Sequence, residues 1–544
     1  MSEKPTLRPD QFEDLAFAIA NPKSGNLNDP GTGKTPTACV LFYYWWTRKG
    51  WRTVWAMPKS LMKKNREELL RFTDFTEDDV VIMESDHAAL TKDWTGPTFE
   101  RFKKIHAYRV WTLDGTPKLT NSYELRDQTL IEYDNELGYR PLGKKVPWAA
   151  NRPEGTLVRT HKGPDGKPLK EKILEPEVAK DLIAANKEAK VFICTFAFLR
   201  NHYERLLRTI PTIGGFGIDE FHMGYGTPSS EQTISFYHVA NHCQGLFAMT
   251  GTLVDGRLDS AFPLVHAIEP RYYGGYSGFV DEHAAWINDY GKVESWKNEA
   301  KLKAILERHT VRRDFESVYG KEPVYFTPIE QTTLEMLPDQ RKAYDVFHEQ
   351  AMLELQNGDV LDGSLAGVAT IRACQIMAHP ETMGICVGEM TEKDRRLMEY
   401  ACEGRPILVF SAAVPEQERC VQRLEEVGLK VGLINNSVLL NERNAIDLDF
   451  RNGRLDAIVG SGPTVAVGYN WERADHVIGV SWDYKDVNFL QAYRRASRGT
   501  RTTTLRVSSL VYRASVDFRK LDILASKSQL ANRVDETRKV LAFW

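Results

Sequence analysis

At 544 residues the chain exceeds a single ordinary core and argues for about three to five compact units. Its 42% hydrophobic and 27% charged residues describe a soluble globular protein. The opening MSEKPTLRPDQ has no signal-peptide core, and the longest apolar stretch, 191–199, is far shorter than the roughly 20 residues of a membrane span. The seven cysteines, at 39, 194, 243, 374, 386, 402 and 420, contain no CxxC pair, so neither a zinc site of usual spacing nor a disulfide framework is supported, and each reads as a small buried hydrophobe. The formal net charge of -3 neither demands nor excludes a polyanionic partner, because only a local basic path would be needed.

In chain order, the first 75 residues alternate short apolar strands with helical patterns. ACVLFYYWWTRKG reads as an apolar helix ending at Gly50, and WRTVWAMP as a strand; this alternation argues a parallel sheet covered by helices. From 78 to 185 the composition shifts to Gly, Pro, Asn and charge, with Asp-Gly turns at 114–115 and 165–166, which reads as a long insertion with hairpins. Strand character returns at 191–199, 214–220 and 245–252. The stretch 297–385 is charged and mostly helical. A second strand–helix series follows at 406–412, 431–434, 455–461 and 476–482. The chain is therefore α/β, with a first sheet domain over 1–310 carrying the insertion, a helical linker over 311–385, and a second sheet domain with C-terminal helices over 386–544.

The loop Asn28-Asp29-Pro30-Gly31-Thr32-Gly33-Lys34-Thr35 is built to hold phosphate. Its glycines let the backbone turn tightly and bring N–H groups around phosphate oxygens, and the following helix adds its positive end. Lys34 is placed for the β- and γ-phosphates and the Thr35 hydroxyl for Mg²⁺. Asn28 stands where the usual GxxxxG pattern has its first glycine. The second element is Asp219-Glu220-Phe221-His222, directly after an apolar run. Carboxylates at a strand's carboxyl end sit where open parallel sheets bind ligands. Asp219 suits Mg²⁺ and Glu220 the attacking water, and His222 is a candidate for passing on nucleotide state.

Taken together, these residues resemble the superfamily 2 helicase-type ATPases, most similar to the Swi/Snf branch, over nearly the whole chain apart from the insertion. Leu7 to Gln11 resembles the entry motif whose Gln reads adenine, here Gln11. Gly31, Thr32, Gly33, Lys34 and Thr35 match the phosphate loop, and Pro58-Lys59-Ser60-Leu61 resembles a strand-contacting motif. Thr250-Gly251-Thr252 matches the segment that couples hydrolysis to tracking, and Arg372 to Pro380 a helix ahead of the second lobe. In the second lobe, Ile407 to Ser411 looks like the opening strand. Ser461 to Asn470, with Gly468, resembles the loop near DNA and ATP. Gln491-Ala492-Tyr493-Arg494-Arg495-Ala496-Ser497-Arg498-Gly499 matches the last motif, with Gln491 at the nucleotide and Arg495 and Arg498 as arginine fingers. Charge points the same way: a phosphoryl transition state carries anionic oxygens, which a guanidinium fork matches.

The resemblance implies two RecA-like parallel-sheet lobes flanking an ATP cleft, with ATP and Mg²⁺ as ligands. Two departures stand out: Val465 to Gly468 replaces the family's paired glycines, and Arg498-Gly499-Thr500-Arg501 replaces its closing RxGQ. With the remodellers' hallmark insertions shortened, the compact form looks like a prokaryotic or viral member, a cytoplasmic monomer.

For the nucleic-acid path, residues 140–170 gather Arg140, Lys144, Lys145, Arg152, Arg159, Lys162, Lys167 and Lys170 near Tyr139 and Trp148. Such a patch can neutralise phosphates and stack bases, or simply be a solvated insertion. Lys59, Ser60 and Ser461 join the path on the resemblance. Lys393, Arg443 and Arg473 are weaker backbone-contact candidates, and Trp471 and Trp482 read as core. No element suited to base-specific readout is visible. Three functions stay open: a motor on duplex DNA, a strand-separating DNA or RNA helicase, and a nucleotide-gated nucleic-acid-binding regulator.

Overall fold

The computed structural model describes residues 4–83 and 182–534, apart from 255, 351, 355–359, 363–365, 466–468, 483–485, 498 and 500. Between those two stretches it describes the backbone of 98–111, 117–120, 131–134, 138–141 and 171–180. The chain forms two compact units, one comprising 1–84 and 187–544, the other 85–186. The expected three to five units are thus not separate bodies, because the larger unit holds two sheets.

The first sheet has seven strands, all parallel, in the order Thr310–Val311, Lys23–Asn26, Gly245–Met249, Ile213–Ile218, Arg52–Met57, Val191–Thr195, Val80–Met83. The second has six, also all parallel: Val324–Phe326, Leu505–Ser509, His476–Gly479, Ile407–Phe410, Ala457–Gly460, Val431–Ile434. Parallel strands need crossover connections, which the helices supply, and both faces are then buried. These are two RecA-like α/β lobes.

The helix Lys34–Lys49 ends as read, with Gly50 in the left-handed conformation that closes a helix C-terminus. It lays Phe42 and Trp45, both fully buried, across the central strand Ile213–Ile218. That strand reads IGGFGI because a Cβ at Gly217 would lie 2.2 Å from the Phe42 ring.

The structure corrects several expectations. Only Val191–Thr195 of the apolar run 191–199 is a strand: the Thr195 hydroxyl accepts from the Phe198 N–H and starts the helix Phe196–Thr209. Val80–Met83, inside the stretch expected to leave the sheet, forms its far edge. The 297–385 stretch holds the helices Glu299–His309, Pro338–Gln350 and Ala366–Ala378, but Thr310–Val311 and Val324–Phe326 also add an edge strand to each sheet. Of the cysteines, Cys402 is exposed and Cys374 half-buried, and all are free. Trp471 and Trp482 are core, with indole N–H groups donating to Asp447 (2.8 Å) and Ser509 (3.0 Å). No helix among the described residues is long and apolar enough to cross a membrane.

In the smaller unit the backbone pairing is antiparallel. Thr98–Trp111 runs against Glu171–Lys180 and Pro117–Thr120, and Ile131–Asp134 against Gly138–Pro141. Lys144, Lys145, Arg152, Arg159 and Lys162 lie outside the described residues.

Candidate active site

Three adjacent strands of the first sheet deliver the site. Lys23–Asn26 leads into the phosphate loop, Ile213–Ile218 into Asp219-Glu220, and Gly245–Met249, between them, into Thr250-Gly251-Thr252. All three lead out at their carboxyl ends, where an open parallel sheet leaves a crevice.

The loop is held by buried polar side chains. Asn28 and Asn26 donate to Asp14 Oδ2 at 2.6 and 3.2 Å, and the other Asp14 oxygen takes Arg313 at 2.9 Å. The Thr32 hydroxyl donates to the Asp29 carbonyl at 2.7 Å. Gly31 and Gly33 have φ of 89° and 86°, in the left-handed region that a side chain strains. Lys34 donates to the carbonyls of Asn28 (2.7 Å) and Asp29 (3.1 Å). Burial lowers the affinity of Lys34 for its proton, against the opposing pull of Glu220, Asp219 and Asp29. Gln11 is buried and donates to the Gly33 carbonyl at 2.9 Å while accepting from the Arg8 N–H at 3.0 Å. Each end of its amide keeps one further hydrogen-bond position.

Asp219 accepts from Asn65 Nδ2 at 2.8 Å and from the Glu220 N–H at 3.0 Å. Burial, then the neighbouring Glu220 charge, pushes the Asp219 carboxyl up to about 6. Glu220 has φ 50° and ψ 54°, a left-handed conformation that costs a non-glycine residue about 1–3 kcal/mol and is held by its surroundings. Glu220 lines the cavity, and His222, on the short helix that follows, stands between it and the threonines of the next strand end. His222 Nδ1 lies 2.8 Å from Thr250 Oγ1 and 3.1 Å from Thr252 Oγ1, and 3.6 Å from Glu220 Oε2. Gly251 packs on the phosphate loop so closely that a Cβ there would meet Pro30 at 2.5 Å.

A cavity of about 280 Å³ opens at this crevice, lined by Gly31, Gly33, Lys34, Thr35, Asp219, Glu220 and, from the second lobe, Arg495. In the turn that directly follows the helix Asp486–Tyr493, Arg495 is 7% exposed. The helix Lys59–Phe72 also presents Leu61, Lys64, Asn65 and Glu68 to the cavity; the spacing of one helical face was the only sequence signal for them. Gln491 is buried on its helix and is not among the cavity-lining residues. Arg498 and Gly468 lie outside the described residues. Lys59 and Ser60 are exposed at their helix start, and Ser461 is half-buried with its hydroxyl 2.7 Å from Thr464 Oγ1. Lys393 is not available to a nucleic-acid backbone: it is 1% exposed and donates to Asp517 Oδ2 (2.9 Å) and the Val480 carbonyl (2.7 Å). Arg473 is spent on the carbonyls of Leu455 (2.6 Å) and Phe450 (3.3 Å), and Arg443 donates to the Val438 carbonyl at 2.8 Å.

The donor set fits a Mg²⁺–nucleotide pair. Asp219 and Thr35 line one cavity, and Mg²⁺ sites of this kind take one or two protein oxygens, the rest being phosphate and water. Among the described residues no cluster of three or more His, Cys, Asp or Glu would form an all-protein cage.

No family model matches the chain. Over about half its length it is similar to chromodomain-helicase-DNA-binding protein 8 of Homo sapiens, 25% identical over 322 residues, covering 53% of this chain and 12% of that protein. It is also similar to chromodomain-helicase-DNA-binding protein 1-like of Mus musculus, 24% identical over 304 residues, covering 53% and 33%. The chain therefore spans only about an eighth to a third of these relatives' own length. Among solved structures, the Sulfolobus solfataricus SWI2/SNF2 ATPase core in complex with dsDNA aligns over 99% of this chain and 97% of its own, at TM-score 0.34 and 17% identity. S. cerevisiae Dbp5 bound to RNA and ADP BeF3 aligns over 97% and 93%, at TM-score 0.44 and 11% identity.

Proposed function

We propose that the chain is an ATPase of the superfamily 2 helicase type, Snf2-like, that couples ATP hydrolysis to lobe closure and movement along duplex DNA. The observation that carries this reading is a single cavity into which the phosphate loop, the Asp219-Glu220 pair and an arginine from the other lobe all face. The helicase-DNA-binding names of the sequence relatives support it.

In this reading the N–H groups of the loop and the Lys34 ammonium hold the β- and γ-phosphates. Thr35 and Asp219 would hold Mg²⁺, which when bound neutralises phosphate charge. Glu220 orients the attacking water and accepts its proton. Arg495, joined by Arg498, meets the charge that develops on the γ-phosphoryl oxygens, so hydrolysis requires both lobes. Gln11 reads adenine and Gln491 supports the nucleotide from the second lobe. His222, Thr250, Gly251, Thr252 and Gly468 relay nucleotide state to the tracking surface, where Lys59, Ser60 and Ser461 contact the polynucleotide backbone. The basic insertion sets substrate preference through Lys144, Lys145, Arg152, Arg159 and Lys162. The reading places the chain with prokaryotic or viral members acting in the cytoplasm as monomers.

The test is ATP hydrolysis measured in parallel with single-stranded, duplex and branched DNA and with RNA. Stimulation by polynucleotide is expected, strongest with duplex DNA; a rate indifferent to every polynucleotide overturns the motor reading. Triplex displacement without strand separation is the expected duplex-motor outcome, and unwinding without triplex displacement assigns a strand-separating helicase instead. Deleting residues 85–186 should reduce stimulated hydrolysis more than basal hydrolysis, and an unchanged substrate preference rejects the role given to the insertion.

A further inference from the structure

The residue beside the cavity-lining arginine makes a contact of its own. Arg494, from the second lobe, is 4% exposed and reaches the phosphate loop: its Nη2 lies 3.3 Å from Asp29 Oδ2 and its Nη1 3.1 Å from Glu322 Oε1. The guanidinium lies over the Phe315 ring at 4.6 Å. Asp29, 6% exposed, takes Arg312 at 2.8 Å on Oδ1, while its Oδ2 also accepts from the Phe315 N–H at 3.2 Å. Glu322 also accepts from the Ser497 hydroxyl at 2.6 Å.

Two cations and two carboxylates therefore alternate through the lobe junction, Arg312, Asp29, Arg494, Glu322. Buried charges of this kind persist only when each is paired, and removing one strands the others. Asp29 is also the residue whose carbonyl receives Lys34 and the Thr32 hydroxyl. A pull on the Asp29 side chain is thus one residue's width from the phosphate-binding lysine. Consecutive residues point to different targets: Arg494 to the loop's outer wall, Arg495 to the cavity within.

From this juxtaposition we infer that Arg494 is a positioning residue, a latch that pairs with Asp29 to hold the lobes closed on the phosphate loop and set Arg495 over the nucleotide phosphates. The inference rests on the ATPase reading. It adds a way for the loop to sense the second lobe without any contact to the nucleotide.

The experiment is a double-mutant cycle on the full chain with Arg494→Gln, Asp29→Asn and both together, reading kcat and KM for ATP at saturating duplex DNA. Each single variant is expected to lower kcat about tenfold or more while KM for ATP moves less than about threefold, and the double variant to be no worse than the poorer single one, because partners in one contact are not additive. Independent, multiplying losses overturn the latch, as does an unchanged kcat in either single variant. Arg494→Lys keeps the charge but loses the two-pronged geometry. It is the variant to use where Arg494→Gln does not fold, and a kcat equal to wild type in it overturns the proposal equally. If wild-type protein hydrolyses no ATP with any polynucleotide, the ATPase reading fails instead, which separates the two failures.

Discussion

The two lobes share an all-parallel sheet, yet treat the polar groups at their strand ends in opposite ways. In the second lobe these groups hydrogen-bond to one another. Ser411 and Ser481 both donate to Glu416, Gln417 donates to the Ser411 carbonyl at 2.9 Å, and Asn435 donates to Gln417 at 3.1 Å. In the first lobe the corresponding crevice keeps its charges at a cavity: Lys34, resting on backbone carbonyls, and Glu220, in a left-handed backbone conformation, both line it. A side chain can serve a substrate only if its neighbours do not consume it. In the proposed ATPase the first lobe would offer such groups, and the second would lend it the arginine turn at 494–495.

The largest effects should come from the first lobe. Lys34→Ala or Glu220→Gln should abolish measurable turnover, a loss of at least roughly 10³-fold, since phosphate charge and the attacking water each lose their partner. Unfolding curves should show the fold intact. Near-normal hydrolysis by Glu220→Gln would remove the role given to that carboxylate. Arg495→Ala sharpens the contrast: turnover should fall by about 10³-fold, as for other arginines that reach a phosphoryl transition state, with ATP affinity within about threefold. Equal losses of affinity and turnover would place Arg495 in ground-state binding and blur the division between the lobes. Lys34→Ala, by comparison, should weaken nucleotide binding itself.

How much of this was legible beforehand follows from where each signal lives. The phosphate loop, Asp219-Glu220 and Arg495 lie in short contiguous motifs whose local chemistry announces them, and the alternation of strands and helices gave the two parallel sheets. Asn65 and Glu68 carry no motif; they reach the site because the face of the helix Lys59–Phe72 meets the end of a strand some 150 residues away in the chain, a tertiary fact. Arg494 lies inside the last motif with no role of its own legible there, since its partner Asp29 is 465 positions away. Lys393 reads as a backbone-contact candidate because sequence cannot show a carboxylate, Asp517, arriving from a distant helix. Thr195 is not legible as a cap because the apolar run continues through it, and hydrophobicity alone does not separate a strand from a buried helix start.

Smaller effects should come from the support around the carboxylates. Asn65→Leu removes the donor to Asp219 Oδ2. Second-layer partners of this kind typically govern metal affinity, so the Mg²⁺ concentration for half-maximal hydrolysis should rise about tenfold, with a stability cost of roughly 1 kcal/mol. An unchanged Mg²⁺ requirement would detach Asp219 from metal binding.

The smallest effect tests the two lobes against each other through pH. Burial and the Glu220 charge raise Asp219 to about 6 in the folded protein, above the unfolded value near 4. Between those values the folded chain holds more proton than the unfolded one, so this group's contribution to stability falls as pH rises from about 4 to 6. His476 in the second lobe has the opposite sign. Burial, then Arg506 and Arg405, lowers it to about 3, while its ring nitrogen lies 2.8 Å from Ser508 Oγ. Below its unfolded value near 6.5 the unfolded chain takes up the proton first, so this contribution is lost as pH falls and regained as it rises. Denaturant unfolding of the nucleotide-free protein at pH 4.5 and 6.5 separates the two. Asp219→Asn should enlarge the stability gained on going to pH 6.5 and His476→Gln should shrink it, each by an amount on the order of 1 kcal/mol. Same-direction changes in both variants would mean that the buried charges of the two lobes are not balanced in this opposed way. The contrast between an offered carboxylate and a sequestered imidazole would then have to be given up.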